Sequence, residues 1–384
     1  MKKLIAILLT LVLLTGCTAK VSLRTPAAAS TMDFALNLFR EAAAEGENTL
    51  VSPLSVMTAL AMTANGAEGD TLTQMEAVLG GSVEDLNNWL DGASGENLKL
   101  ANGIWLKHDN NFHPGEEFLK IAQKEYKAKI ETAPFDDSTA DDINDWVRKQ
   151  TNGMIDGIVD EIPEEAILYL INALAFDAQW AKPYADYQVQ EGTFTTEDGK
   201  THTVEMMYDA VGDYLRTEIA TGFLKWYEGD RYAFAALLPN EGVSVAELLD
   251  SLTGEELAKL LANPEADVVQ TAIPKFHTES DLELKETLEA LGMTDAFDVE
   301  KAELTTLGIF DQGNLYISRV RHKTFIEVGE LGTRAGAATA VELEAGGAMM
   351  EPTTVYLDRP FVYMIVDMET YFPIFMGTCM EIKA

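Results

Sequence analysis

The side chains able to do chemistry in this sequence are few and scattered. Five histidines, His108, His113, His202, His277 and His322, show no spacing that would bring two of them onto one metal ion. No G-x-S-x-G elbow, H-E-x-x-H helix, phosphate-binding loop or dinucleotide glycine pattern occurs. Cys379 would be a nucleophile only beside a base, and its setting, FPIFMGTCMEI, reads as an apolar strand with a buried structural thiol. The pairs Asp136-Asp137 and Asp141-Asp142 have the composition of acid-base groups or cation ligands. In a chain of formal net charge −35 such pairs read first as solvated faces or helix starts. Nothing here supports turnover, a metal or a cofactor.

One cysteine does carry a reactive pattern. Lys2 and Lys3 precede an apolar run from Leu4 to Leu14, which reads as a secretory signal too short for a secure membrane span. Leu14-Thr15-Gly16-Cys17 then resembles the bacterial lipobox, in which the cysteine thiol receives a diacylglyceryl group. The expectation is a signal over residues 1–16, a lipid on Cys17, a tether over residues 17–30, and an extracellular protein held at the cell surface. With Cys17 acylated, Cys379 has no partner for an intrachain disulfide. The acidic charge disfavours nucleic acid, heparin-like polymers and anionic lipid surfaces as partners.

The remaining residues, 31–384, show no second linker and no fixed-period repeat, and helical and extended signals alternate along them. Ser52-Pro53 before LSVMTALAMTANGA reads as a capped helix whose nearly all-apolar surface demands burial. Ser280 and Glu283 have the spacing of a capping box ahead of Leu284, Leu288 and Leu291, with Gly292 as the stop. Ile143, Trp146 and Val147 mark a more exposed amphipathic helix ending near Gly153. The runs 167-ILYLINALAF, 232-YAFAALLP, 361-FVYMIVD and 372-FPIFM read as buried strands. Between strand-like stretches, residues 329–354 (GELGTRAGAATAVELEAGGAMMEPTT) lack aromatics and are dense in Gly, Ala and Thr, and a loop this long in a compact domain is usually functional or disordered.

Taken in order, these landmarks resemble the serpin family over nearly all of residues 31–384. NTLVSPLS with ALAMTANGAEGDTLTQMEAVLG is similar to the family's central helix, and 143-INDWVRKQTNGMI to the helix lying across its main sheet. The stretch 171-INALAFDAQWAKPY resembles the strand ending in a tryptophan near the top of that sheet. IPKF, LGMTDAFD and 358-DRPFVYMIVD continue the pattern. The strongest match, 327-EVGELGTRAGAATAV, looks like the hinge of a reactive-centre loop spanning about residues 331–354.

The resemblance implies an α+β fold of three β-sheets and about nine helices, with an exposed loop and a native state that is not the most stable one. It implies a suicide inhibitor of serine proteases rather than an enzyme, monomeric until it forms a covalent one-to-one complex with its target. In the hinge, Glu330 would mark the strand exit, with Gly332 and Thr333 opening the mobile part. Because alternate strand residues face opposite sides, Thr333, Ala335, Ala337, Thr339 and Val341 would point inward, and all are uncharged and small or β-branched. Ser52, Ser55, Asn172 and His322 match the family's buried polar cluster where the sheet must open, and Trp180 is grouped with them. Counting the usual loop length forward from Glu330 lands near Gly346, while counting back from Pro360 lands on Met349. A protease pocket needs a side chain, which favours Met349, then Met350 or Ala348, for an elastase-, chymotrypsin- or subtilisin-like enzyme. The alternative is a noninhibitory serpin acting as a surface binding protein.

Overall fold

Period and capping decide where the helices lie. The computed structural model describes residues 27–93, 95–163, 166–333 and 353–382. In the first third, α1 (Ala29–Ala42), β1 (Leu50–Val51), α2 (Pro53–Ala64), α3 (Gly69–Leu79) and α4 (Val83–Leu90) precede β2 (Leu98–Lys107) and β3 (Phe112–Pro114). Next come α5 (Glu116–Glu125), β4 (Lys129–Ala133), α6 (Asp137–Gln150), β5 (Leu168–Phe176) and β6 (Ala178–Gln179). A run of strands follows: β7 (Val189–Thr195), β8 (Thr201–Arg216), β9 (Ala220–Trp226) and β10 (Tyr232–Pro239), closed by α7 (Val245–Asp250) and α8 (Gly254–Ala262). The last third holds β11 (Glu265–Pro274), β12 (Phe276–Glu283), α9 (Lys285–Ala290), β13 (Gly308–Phe310), β14 (Arg321–Gly329) and β15 (Gly332–Thr333). Beyond residue 352 come β16 (Thr353–Tyr356), β17 (Phe361–Asp367) and β18 (Phe372–Cys379).

The expected α+β architecture is present, with nine α-helices among the described residues. Its sheets are connected differently from three separate layers. Strand β8 is sixteen residues long and pairs β7 over residues 201–207, β9 over 213–216 and β11 over 206–214 between them, so two of the layers merge into one nine-stranded sheet. The main sheet is in two blocks, β4-β2-β5 and β12-β14-β15-β6. Only Asp177 separates β5 from β6, so these two are one strand that changes partner. A ribbon of β3 and β13 completes the set.

Helix α2 explains why the layers stay together. Leu54, Met57, Leu60, Ala61 and Met62 are each at most 3% exposed, and the helix packs on β5 on one side and β18 on the other. Each such aliphatic burial contributes roughly 1.5–3 kcal/mol relative to exposure. Helix α6 lies across β2 and β5, where Trp146 meets Trp105 edge-on at 5.0 Å and Ile143 and Val147 form a small separate core with Ile171. Asp136, read as a solvated face or a helix start, is the latter: it caps α6 by accepting from the amides of Ser138 and Thr139.

The capping box at Ser280 and Glu283 is corrected. Both residues belong to β12, whose alternation of buried and exposed side chains overrides the S-x-x-E pattern, and α9 starts after Leu284. Gly292 does end that turn, with φ +112°. Cys379 is buried, and desolvation pushes its thiol far above the ordinary range, as the apolar reading expected.

Candidate functional site

The extended backbone of Ser52 (φ −111°, ψ 96°) leads Pro53 into α2 and leaves the serine side chain free to cap. Its hydroxyl accepts from the Ser55 amide at 3.2 Å and donates to the Ile374 carbonyl at 2.7 Å. Its amide donates to Nε2 of His322, on β14, at 2.9 Å. An accepting Nε2 requires the neutral imidazole with its proton on Nδ1. Burial favours the same state, lowering the His322 pKa to about 4.

From Ser55 the chain of bonds runs to the other block of the sheet. The Ser55 hydroxyl donates to the Asn172 side-chain oxygen on β5. The Asn172 amide nitrogen donates to Asn102 on β2 at 2.7 Å, and Asn102 donates to the Tyr126 carbonyl at 2.8 Å. Ser52, Ser55, Asn172 and His322 are therefore brought together as the sequence suggested. The two blocks meet through the first turn of α2. Asn102 was missed; a lone asparagine in the apolar run ANGIWL, directly opposite Asn172, was the available signal.

A second polar group sits where β14 ends. Trp180, placed above with the serines, belongs here instead. Its ring stacks on Tyr227 at 4.5 Å, its indole N–H donates to the Gly329 carbonyl at 2.8 Å, and its amide donates to Leu331 at 2.9 Å. The Tyr184 amide donates to the Glu330 carbonyl at 2.9 Å. The Glu330 carboxylate lies 3.0 Å from Lys275 and is held below its usual range by its own backbone amide and by that ammonium. Deeper still, Lys225 pairs with Asp209 at 2.9 Å with both side chains nearly inaccessible. The lysine in the apolar run GFLKWY was the overlooked signal.

Two hinge residues are already seated in the sheet. Gly332 and Thr333 form β15, paired with Val328 and Gly329 of β14 on one side and with Ala178 and Gln179 of β6 on the other. Gly332 is required: its φ is +154°, and a Cβ there would stand 2.1 Å from the Ala178 carbonyl oxygen. Thr333 points inward, 2% exposed, as the alternation predicted. Below this point, among the described residues, β14 pairs only β12 and β5 pairs only β2. The site is thus a slot between β5 and β14, filled at its head. Ala335, Ala337, Thr339, Ala348, Met349, Met350 and Cys17 lie outside the described residues.

Comparison with known proteins agrees with this geometry. The profile of the family described as Serpin (serine protease inhibitor) matches residues 29–382. The chain is 33% identical to an uncharacterised serpin-like protein of Thermococcus kodakarensis, over 91% of this chain and 84% of that protein. It is similar to a thermophilic serpin, tengpin, in the native state, with TM-score 0.87 and 45% identity over 94% of this chain and 97% of that one. Against tengpin in the latent state the TM-score is 0.82, with 43% identity over 92% of this chain and 97% of the other. Many members of this family inhibit serine proteases, and serpins generally bind target proteases rather than act as enzymes. With the seated hinge, the interrupted main sheet and a family match across the described chain, this protein belongs to the serpin family.

Proposed function

We propose that the chain is a suicide inhibitor of serine proteases, consumed one for one. The single observation that carries this reading is β15: the hinge has entered the head of a slot whose two walls, β5 and β14, share no described ladder below it. A strand entering there gains hydrogen bonds on both edges, so insertion runs downhill once the loop is cut. A target enzyme attacks the loop as substrate and forms an ester through its own serine. Insertion then carries the tethered enzyme away and distorts its active site before water completes hydrolysis.

The favoured reactive residue is Met349, with Met350 and Ala348 next, which suits pockets of elastase-, chymotrypsin- or subtilisin-like enzymes. No basic residue lies between Ala335 and Leu357, which disfavours trypsin-like targets. Incubating the purified chain with each enzyme tests the reading. A complex that survives denaturing gels, with the released peptide beginning at Met350 or Glu351, is expected. Clean cleavage without complex by every enzyme would favour a noninhibitory surface binding protein.

The chain acts at the cell surface, anchored through lipid on Cys17, on the strength of Leu14-Thr15-Gly16-Cys17. Metabolic labelling with a radioactive fatty acid checks this: label is expected on the native chain and absent from Cys17→Ser. Equal label on both would remove the anchor.

A further inference from the structure

A lysine within an apolar strand demands a reason. Lys225 lies on β9 with its side chain 4% exposed, and Asp209 on β8 is 5% exposed. Burying such a pair costs several kcal/mol per ion before their attraction offsets it, and an apolar pair of similar size would hold the two strands together as well. The pair therefore does more than pack β8 on β9.

The surroundings of the Lys225 ammonium say what. Besides Asp209, the polar and aromatic groups around it among the described residues belong to the segment after β6. It donates to the Lys182 carbonyl at 3.3 Å and lies over the rings of Tyr184 at 4.2 Å and Trp180 at 5.4 Å. Lys182 reaches back to the other oxygen of Asp209 at 3.0 Å, so one carboxylate holds two lysines. The same segment presents three donors to the exit of β14: the Trp180 indole to Gly329, the Tyr184 amide to Glu330 and the Trp180 amide to Leu331.

We propose that the Lys225–Asp209 ion pair is a positioning latch, which fixes residues 180–184 against the nine-stranded sheet so that this segment holds the hinge at the head of the slot. The inference rests on reading β15 as the start of loop insertion. It assigns Lys225, Asp209 and Lys182 a role in timing that insertion, ahead of any contact with a protease. Lys225 and Asp209 act through the Trp180–Tyr184 segment, to which Lys182 itself belongs.

Amide hydrogen exchange on the uncut full chain tests the latch without a protease. In Lys225→Met and in Asp209→Asn, exchange at the Trp180 and Tyr184 amides is expected to rise on the order of tenfold. Exchange at the Ser52 amide, which donates to His322, is expected to stay unchanged. The double variant is expected to fall short of the product of the single effects, because the pair is already lost in either one. Unchanged rates at Trp180 and Tyr184, an equal rise at Ser52, or fully independent single effects would overturn the latch. Should a single variant fail to fold for want of a partner for its buried charge, the neutral double variant compared with the native chain decides, and unchanged exchange there overturns it too. Failure of the native chain to trap any protease would sink the inhibitor reading and leave the exchange result to stand on its own.

Discussion

The hydroxyl oxygens of Thr333 and Tyr227 lie 2.5 Å apart, inside the sheet and under the stacked ring of Trp180. The bond joins the first inward-facing hinge residue to a strand turn of the other layer. The bond thus ties the head of the slot to the neighbouring sheet. Desolvation raises the Tyr227 hydroxyl far above the ordinary phenol range, so it stays protonated and able to donate.

Arginine at position 333 would need a charge where threonine is now 2% exposed. An unpaired charge at that depth costs several kcal/mol, which opposes entry of the strand. Thr333→Arg is expected to be cut by the target enzyme at the native rate while the yield of gel-stable complex falls on the order of tenfold or more. Undiminished complex would show that trapping does not need residue 333 seated in the sheet.

Gly332→Ala probes the same entrance by sterics. The added methyl would meet the Ala178 carbonyl, in a backbone conformation that side chains rarely adopt. The variant is expected to lose the β15 pairing and about 1–3 kcal/mol of native stability, read as a lower urea midpoint. An unchanged midpoint would mean that the hinge can seat by another path.

His322 makes stability depend on pH. Its folded pKa of about 4 lies below the unfolded value near 6.5, so between these the unfolded chain binds the extra proton. Native stability therefore falls as pH drops from about 6.5 to about 4, by roughly 3 kcal/mol from this residue, and the loss is complete below that window. Protonation also removes the acceptor of the Ser52 amide. Urea midpoints at pH 4.5 and 7 should differ less in His322→Gln than in the native chain; equal differences would exclude the histidine as the source.

Specificity is the most exposed part of the proposal. Met349→Arg offers the buried carboxylate of a trypsin-like pocket its partner, and inhibition of such enzymes is expected to rise on the order of a hundredfold. No gain there, with a gain for Met350→Arg or Ala348→Arg, would move the reactive bond.

Local patterns were legible in the residues themselves, whereas the one long-range grouping foreseen, Ser52 and Ser55 with Asn172 and His322, came through the family resemblance. Ser52 and Pro53 declare α2 because a cap and its donors lie within four residues, and the cap is found where expected. The alternation in the hinge correctly turned Thr333 inward. Ser280 misled because S-x-x-E suits both a helix start and an alternating strand, and pairing of β12 with β14 settled the matter. Asn102, Lys275, Tyr227 and the Lys225–Asp209 pair stayed hidden for a common reason. Their partners are supplied by strand registers and turns that join distant parts of the chain, and no spacing in the sequence encodes those.

The stack of Trp180 on Tyr227 gives the protein a built-in optical gauge. Of the five tryptophans, Trp180 is the one whose indole N–H is tied to the Gly329 carbonyl. Anything that draws the hinge in or lets it go must alter the polarity and hydrogen bonding around this one ring, and so its emission. With Trp89, Trp105, Trp146 and Trp226 replaced by phenylalanine, a plain fluorescence trace would follow the head of the slot in real time, on an unlabelled molecule.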